Sequence, residues 1–114
     1  HRGRVGQPVP SFQAQGFTFA DMYKKIGPSR LITWKSAWAV DTKASDLSTL
    51  AAIAKLFASD TAMEVTTDAV QAMGGAGYSR DHIVEKLMRD AKLLQIYEGT
   101  NQIQRLVISR NILK

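Results

Sequence analysis

Apolar positions recur at helical spacing along nearly the whole chain. Phe12, Phe19, Met22, Tyr23 and Ile26 form one stripe, and Leu31, Trp34, Ala37, Trp38 and Val40 continue it. The pattern predicts a long first helix from Ser11, a residue able to cap it, to about Asp41. Gly27-Pro28 falls inside that span. An interior proline loses a backbone hydrogen bond and clashes with the preceding turn, which predicts a kink or two helices with a short break. Asp41 to Ser45 reads as a polar turn. A second helix opens at Asp46, with Leu47, Leu50, Ala51, Ala54, Phe57, Ala58, Ala62, Val65, Ala69 and Met73 on one face. Ile53 and Leu56 widen that face, so this helix is expected to be covered on more than one side, and its alanines permit close approach. Its polar face carries Lys55, Asp60, Glu64 and Asp68. A third helix is expected from Asp81, with Val84, Leu87, Met88, Ala91 and Leu94 as its stripe, and Arg89 and Asp90 on its polar side. Glu85 in its first turn suits the helix dipole. A fourth runs from about Asn101 to Ile112, marked by Ile103, Leu106, Val107 and Leu113. No two-residue alternation, internal repeat or low-complexity segment interrupts the series. The fold class is therefore all-α: one domain built as an antiparallel, up-and-down four-helix bundle, with residues 1–10 a loop or linker.

The chain has 114 residues, 45% of them apolar, which suits one folded domain with a modest core. There is no cysteine, which removes disulfides, thiolate metal sites and cysteine nucleophiles together. No apolar run is long enough to span a bilayer, and no signal peptide is visible. The opening His1-Arg2-Gly3-Arg4 reads like the middle of a longer protein. The net charge is +5, but the lysines and arginines are scattered. No basic stripe is interleaved with aromatic residues, so nucleic acid is not the expected partner.

The stretch that stands out chemically is Gln95-Ile96-Tyr97-Glu98-Gly99-Thr100-Asn101-Gln102. It places a carboxylate at a junction between two helical patterns. Gly99 lets the backbone turn there and lets a ligand come close. Asn101 can cap the last helix, with Gln104 completing a capping box. A carboxylate beside freshly exposed backbone donors can abstract a proton next to a group that needs an oxyanion stabilised. The competing reading is a solvated turn residue. Gly74-Gly75-Ala76-Gly77 ends the second helix, and three glycines in four positions exceed what a cap requires. They admit close approach of a ligand to the backbone, although a glycine cluster after a helix is no dinucleotide fingerprint. Arg2 and Arg4, on a loop broken by Gly3, Gly6, Pro8 and Pro10, would suit a phosphate, or be plain surface arginines. His82-x-x-Glu85 lacks the repeated glutamate and histidine set of a bundle metal site, so no metal is expected. His82 is the sole internal histidine, and no serine, histidine and acid set exists for acyl transfer.

Three segments together are more specific. Gln71-Ala72-Met73-Gly74-Gly75-Ala76-Gly77-Tyr78, Val84-Glu85-Lys86-Leu87-Met88-Arg89-Asp90-Ala91-Lys92 and Ile96-Tyr97-Glu98-Gly99-Thr100-Asn101-Gln102-Ile103-Gln104-Arg105 resemble, in order and spacing, the C-terminal helical domain of acyl-CoA dehydrogenases. The opening resembles the family's Arg-x-x-Phe-Gly segment before its long helix, with Gln13 at the family's glutamine position. The resemblance covers essentially the whole chain. The family's N-terminal helical domain and middle β-domain have no counterpart in it.

The resemblance implies one long first helix kinked at Pro28, and a set of roles. Glu98 matches the base that removes the pro-R α-proton of an acyl-CoA thioester, while the β-hydrogen leaves as hydride to flavin N5, giving a trans-2-enoyl-CoA. The backbone amide of Glu98 would help hold the thioester carbonyl. Tyr97 and Gly99 would adjoin the substrate, Gly99 leaving room for the acyl chain. Thr100 and Gln102 match positions near the FAD of the same subunit. Arg2, Gln13, Gln71 and Gly75 match positions that reach the FAD of a neighbouring subunit in a homotetramer, a dimer of dimers. An electron-transfer flavoprotein is the implied acceptor. The implied location is cytoplasmic in a bacterium and the mitochondrial matrix in a eukaryote. Val5 stands where the family usually has phenylalanine, which alters packing on the flavin side. Without the partner domains the chain is expected to bind FAD weakly and not to turn over. A related acyl-CoA oxidase or a non-catalytic helical assembly module are the other readings.

Overall fold

The computed structural model describes residues 9–114, with side chains from residue 13 onward. Four α-helices follow in order: α1 (Val9–Thr42), α2 (Leu47–Met73), α3 (Val84–Leu94) and α4 (Asn101–Ile112). No strand occurs among the described residues. The expected all-α four-helix bundle is observed, and α2 is its hub, since each of the other helices packs chiefly on α2 and little on one another.

α1 is a single helix of 34 residues that passes through Pro28 without a break. It starts at Val9, two residues before the expected Ser11, so residues 9 and 10 belong to the helix rather than to a loop. Pro10 is tolerated because the first-turn amides of a helix have no intrahelical acceptor to lose. Ser11 lies within the first turn and cannot be the cap. α2 begins one residue after Asp46, which makes no side-chain cap bond. α3 starts at Val84 rather than Asp81, because residues 77–83 form a run of turns after the short 3-10 segment Gly74–Ala76.

The buried faces match the apolar stripes that periodicity selects only in part: most of the expected face of α2 is covered, whereas on α1 and α4 much of the stripe is exposed. Along α1 the covered positions include Thr18, Met22, Lys25, Ser29, Ile32, Ser36 and Ala39, spaced by alternating steps of four and three residues. That is a coiled-coil-like seam, made here of small and mixed side chains that let α1 lie close to α2. Ala39 is fully buried. Met22 and Ile26 of the expected stripe are covered, but its aromatic residues point away: Tyr23 is 80%, Trp34 61% and Trp38 56% exposed. On α3 the stripe holds in part, with Val84, Met88 and Ala91 covered while Leu87 and Leu94 are exposed, and on α4 Val107 is covered while Ile103 and Leu106 face out. α2 is covered on several sides, as expected, with Ile53 and Leu56 half-buried. The result is an elongated body of 58 × 27 × 25 Å with a radius of gyration of 17.6 Å. A compact domain of this length would measure about 13 Å. Each large apolar side chain left in water forgoes roughly 1.5–3 kcal/mol that burial would contribute.

Polar links fasten the seams. The Lys25 ammonium pairs with Glu64 across the α1–α2 contact, and that hydrogen bond raises the Lys25 pKa above its ordinary value. Within α3, Arg89 pairs with Glu85 at 2.8 Å and holds its carboxyl below the usual range.

Candidate active site

The segment between α3 and α4 reverses the chain in six residues. α3 unwinds as the amides of Gln95, Ile96 and Tyr97 donate to the carbonyls of Lys92 and Leu93. The Asn101 amide then returns to the Gln95 carbonyl at 3.1 Å, closing the loop. Two consecutive left-handed residues make the turn: Glu98 at φ 54° and Gly99 at φ 87°. Glycine adopts that region freely, whereas a glutamate there is strained by about 1 kcal/mol or more. The expectation that Gly99 permits the bend holds, and the strain sits on the residue that carries the carboxylate.

The Glu98 side chain is exposed and takes no hydrogen bond or ion pair from any described residue. Its backbone N–H likewise donates to none. One residue therefore offers a free acceptor pair and a free donor at the same bend. Tyr97 precedes it, 47% exposed. Gly99 follows; a Cβ there would lie 2.8 Å from the Gln104 amide nitrogen. Gln104 closes over the bend from α4, its Nε2 3.3 Å from the Glu98 carbonyl.

The α4 cap is Thr100, not Asn101. The Thr100 hydroxyl accepts from the Ile103 amide at 3.3 Å, and Gln104 folds back on the Glu98 and Gly99 carbonyls rather than closing a box with Asn101. Thr100→Ala is expected to cost about 1 kcal/mol, read as faster amide exchange in the first turn of α4.

Freed from capping, Asn101 turns inward and is 5% exposed. Its Nδ2 donates to the Asp60 carboxylate at 2.7 Å and to the Ser59 hydroxyl at 2.9 Å. Its Oδ1 accepts from the Lys55 ammonium at 2.8 Å, and the same ammonium donates to the Gly99 carbonyl, also at 2.8 Å. Gln95 adds a bond to Asp60 at 2.8 Å, and Arg105 approaches the other Asp60 oxygen at 3.6 Å. Lys55 and Asp60 are thus no solvated face of α2. They hold the bend, because the first turn of α4 packs directly over them. Periodicity missed this set; the one available signal was a Lys55–Asp60 pair on a helix otherwise expected to be covered on several sides.

The remaining site residues fall into two groups. Thr100 and Gln102 open α4 beside Glu98. Gln71 and Gly75 lie at the far end of α2 and in the turn after it, and Gln71 shares a cavity of about 300 Å³ with Ala14, Thr18 and Asp68. Gln13 is exposed next to Ala14 at the start of α1. Eleven residues separate Asp60 from Gln71, about 16 Å along the helix. The structure brings Glu98 together with Tyr97, Gly99, Thr100 and Gln102, and sets Gln13, Gln71 and Gly75 apart from them. Arg2 and Val5 lie outside the described residues.

The donor set suits a flavin nucleotide. Gln13, Gln71 and Gln102 are exposed with side-chain amides unpaired among the described residues, and the Thr100 O–H remains free to donate. A Cβ added at Gly75 meets nothing within 4 Å, so the backbone there is open to close approach. Neutral amides and bare backbone match ring carbonyls and a nucleotide chain. Among the described residues no helix is long and apolar enough to cross a membrane.

Fold and site together define a helical domain that presents one unpaired carboxylate at a left-handed bend, with open amide and glycine surface elsewhere. Residues 1–113 match the family model for the acyl-CoA dehydrogenase C-terminal domain, and the chain belongs to that family. It is 52% identical to the probable acyl-CoA dehydrogenase fadE25 of Mycobacterium bovis over 99% of its own length and 29% of that protein. It superposes on butyryl-CoA dehydrogenase from Megasphaera elsdenii with a TM-score of 0.90 at 44% identity, covering 100% of this chain and 30% of that one. A chain in the structure of the electron transferring flavoprotein of Acidaminococcus fermentans gives a TM-score of 0.89 at 49% identity, covering 99% and 30%. The chain therefore spans less than a third of the length of the relatives it matches.

Proposed function

We propose that this chain is the C-terminal segment of an FAD-dependent acyl-CoA dehydrogenase, with Glu98 as its catalytic base. The observation that carries this reading is the unpaired Glu98 carboxylate on the same residue as an unused backbone N–H, at a bend rather than on a helix face. The N–H donates to the thioester carbonyl of an acyl-CoA and favours enolate character there. The α-carbon becomes more acidic, and the Glu98 carboxylate takes its proton. The pair of electrons left at the α-carbon forms the new double bond as the β-hydrogen departs with its own pair, giving a trans-2-enoyl-CoA. FAD, when bound, supplies the acceptor for that hydride. Tyr97 and Gly99 flank the acyl chain, Tyr97 as a wall and Gly99 as space.

Thr100 and Gln102 hold the flavin of the same subunit. Arg2, Gln13, Gln71 and Gly75 reach the flavin of a neighbouring subunit in a homotetramer. The separation of about 16 Å along α2 supports that division, since one copy of the chain has its two donor groups on different parts of its surface. An electron-transfer flavoprotein takes the electrons onward.

The test is anaerobic addition of acyl-CoAs of graded chain length to the intact flavoprotein that carries this domain. The expected result is loss of the oxidised flavin absorbance with at least one of them, followed by recovery with an electron-transfer flavoprotein and slow recovery with oxygen. A flavin that no acyl-CoA bleaches would defeat the reading. Rapid recovery with oxygen would place the protein among the oxidases.

A further inference from the structure

We propose that Lys55 and Asn101 are positioning residues for proton abstraction, a reading that rests on Glu98 as the base. Lys55 lies 43 positions before Glu98 and touches neither the carboxylate nor its donor N–H. What it grips is the residue after the base. Its ammonium donates at 2.8 Å to the Gly99 carbonyl and at 2.8 Å to Asn101 Oδ1. Asn101 is in turn fixed by Ser59 and Asp60, both on α2. The bend is thus held on its C-terminal side to the most covered helix of the domain.

The need for such a grip follows from the backbone. Two successive left-handed residues, one a glutamate, are not a conformation the chain takes by itself. Relaxing Glu98 to an ordinary φ, a rotation about its N–Cα bond, would swing the carboxylate relative to the N–H and spoil their joint aim. The Gly99 carbonyl is the lever. Anchoring it by a charged donor restricts the ψ of Gly99 and hence the peptide plane that follows, while the Asn101 amide bond to the Gln95 carbonyl closes the other side. Gln104 donates to the Glu98 carbonyl at 3.3 Å and reaches the Gly99 carbonyl that Lys55 grips only at 3.4 Å, so it is the weaker clamp. Every buried side-chain donor and acceptor among the described residues is satisfied, and removing Lys55 takes the shorter of the two donors from Asn101 Oδ1, leaving only the Ser59 hydroxyl at 3.3 Å.

The test uses the intact flavoprotein with Lys55→Met, Lys55→Arg, Asn101→Ala and, as the control, Glu98→Gln. Flavin reduction by substrate is followed in a single turnover. Affinity is measured by titration with an acyl-CoA analogue carrying sulfur in place of the β-carbon, which can lose an α-proton but no hydride. The exchange of its α-protons with deuterated water reports the base alone. Lys55→Met and Asn101→Ala are expected to slow both flavin reduction and α-proton exchange about 10²-fold, the loss that a misplacement near 1 Å brings. Analogue affinity should move by less than about threefold, a kcat effect rather than a binding effect. Lys55→Arg, which keeps charge and several donors, should recover most of the rate. Amide exchange at Asn101 should quicken in Lys55→Met.

Full-rate α-proton exchange in both Lys55→Met and Asn101→Ala, with Glu98→Gln inactive, would overturn the positioning role and leave the base intact. Turnover by Glu98→Gln would instead remove the base itself. Loss of flavin or of folding in all three network variants would make the residues mere supports of the fold and overturn the proposal as well.

Discussion

Glu98→Gln in the intact flavoprotein is expected to lower the rate of flavin reduction by about 10²–10⁴-fold, the usual contribution of a positioned general base. Glutamine keeps the size of the side chain and the left-handed backbone, and the free N–H at the bend remains. What it removes is an acceptor basic enough to hold a proton. The unpaired state of the Glu98 carboxylate makes this a clean substitution, because no described partner loses a bond when the charge goes. Flavin content, melting temperature and analogue affinity are therefore expected to stay near those of the parent. A rate within a few-fold of the parent would show that the α-proton leaves to another group. The substitution also separates two ways the bend can act. If the N–H alone polarised the thioester, water would replace the carboxylate at modest cost; the predicted loss is larger because water is poorly placed and poorly basic.

Gly77→Ala is expected to destabilise the protein by about 2–3 kcal/mol, in the upper range for overpacking. A Cβ at Gly77 would stand 2.6 Å from the Val70 carbonyl oxygen and 2.8 Å from Met73 Cβ. The first contact is backbone within α2 and cannot rotate away, so the turn must shift. Gly75→Ala, two residues earlier in the same cluster, meets open space and should change stability by less than about 0.5 kcal/mol. Its effect should fall on flavin retention instead, because that open backbone is the proposed approach to a neighbour's cofactor. Thermal unfolding and flavin content of the two variants read the two effects separately. Equal melting temperatures would mean that the α2 terminus yields, and undiminished flavin in Gly75→Ala would remove Gly75 from the cofactor set. The cluster thus divides into one glycine required by packing and one left free.

The bend itself was largely legible in the residues. A carboxylate next to glycine between two helical patterns predicts a junction, and the observed left-handed pair is that junction. Its supports were not legible. Asn101 looks like a cap by residue type and position, yet Thr100 takes that role one residue earlier, because the extended backbone of Thr100 at ψ 162° sets its hydroxyl over the Ile103 amide. Lys55 and Asp60 look like a solvated face, since a charge on a helix is usually one. Only the position of α4 against α2 converts them into anchors.

From its residues alone the chain determined four helices, their approximate ends and the site at the last junction, because helical period, glycine breaks and turn residues act over a few positions each. Tertiary structure decided which of the large apolar residues are buried, above all on α1 and α4. Packing rewards close approach along a whole seam, and a seam of Ser29, Ser36, Ala39 and Ala91 brings backbones nearer than one of Trp34, Trp38 and Leu87. The larger side chains are consequently left outward, where hydrophobicity summed along a single helix cannot tell a face that meets α2 from one that meets nothing within the chain.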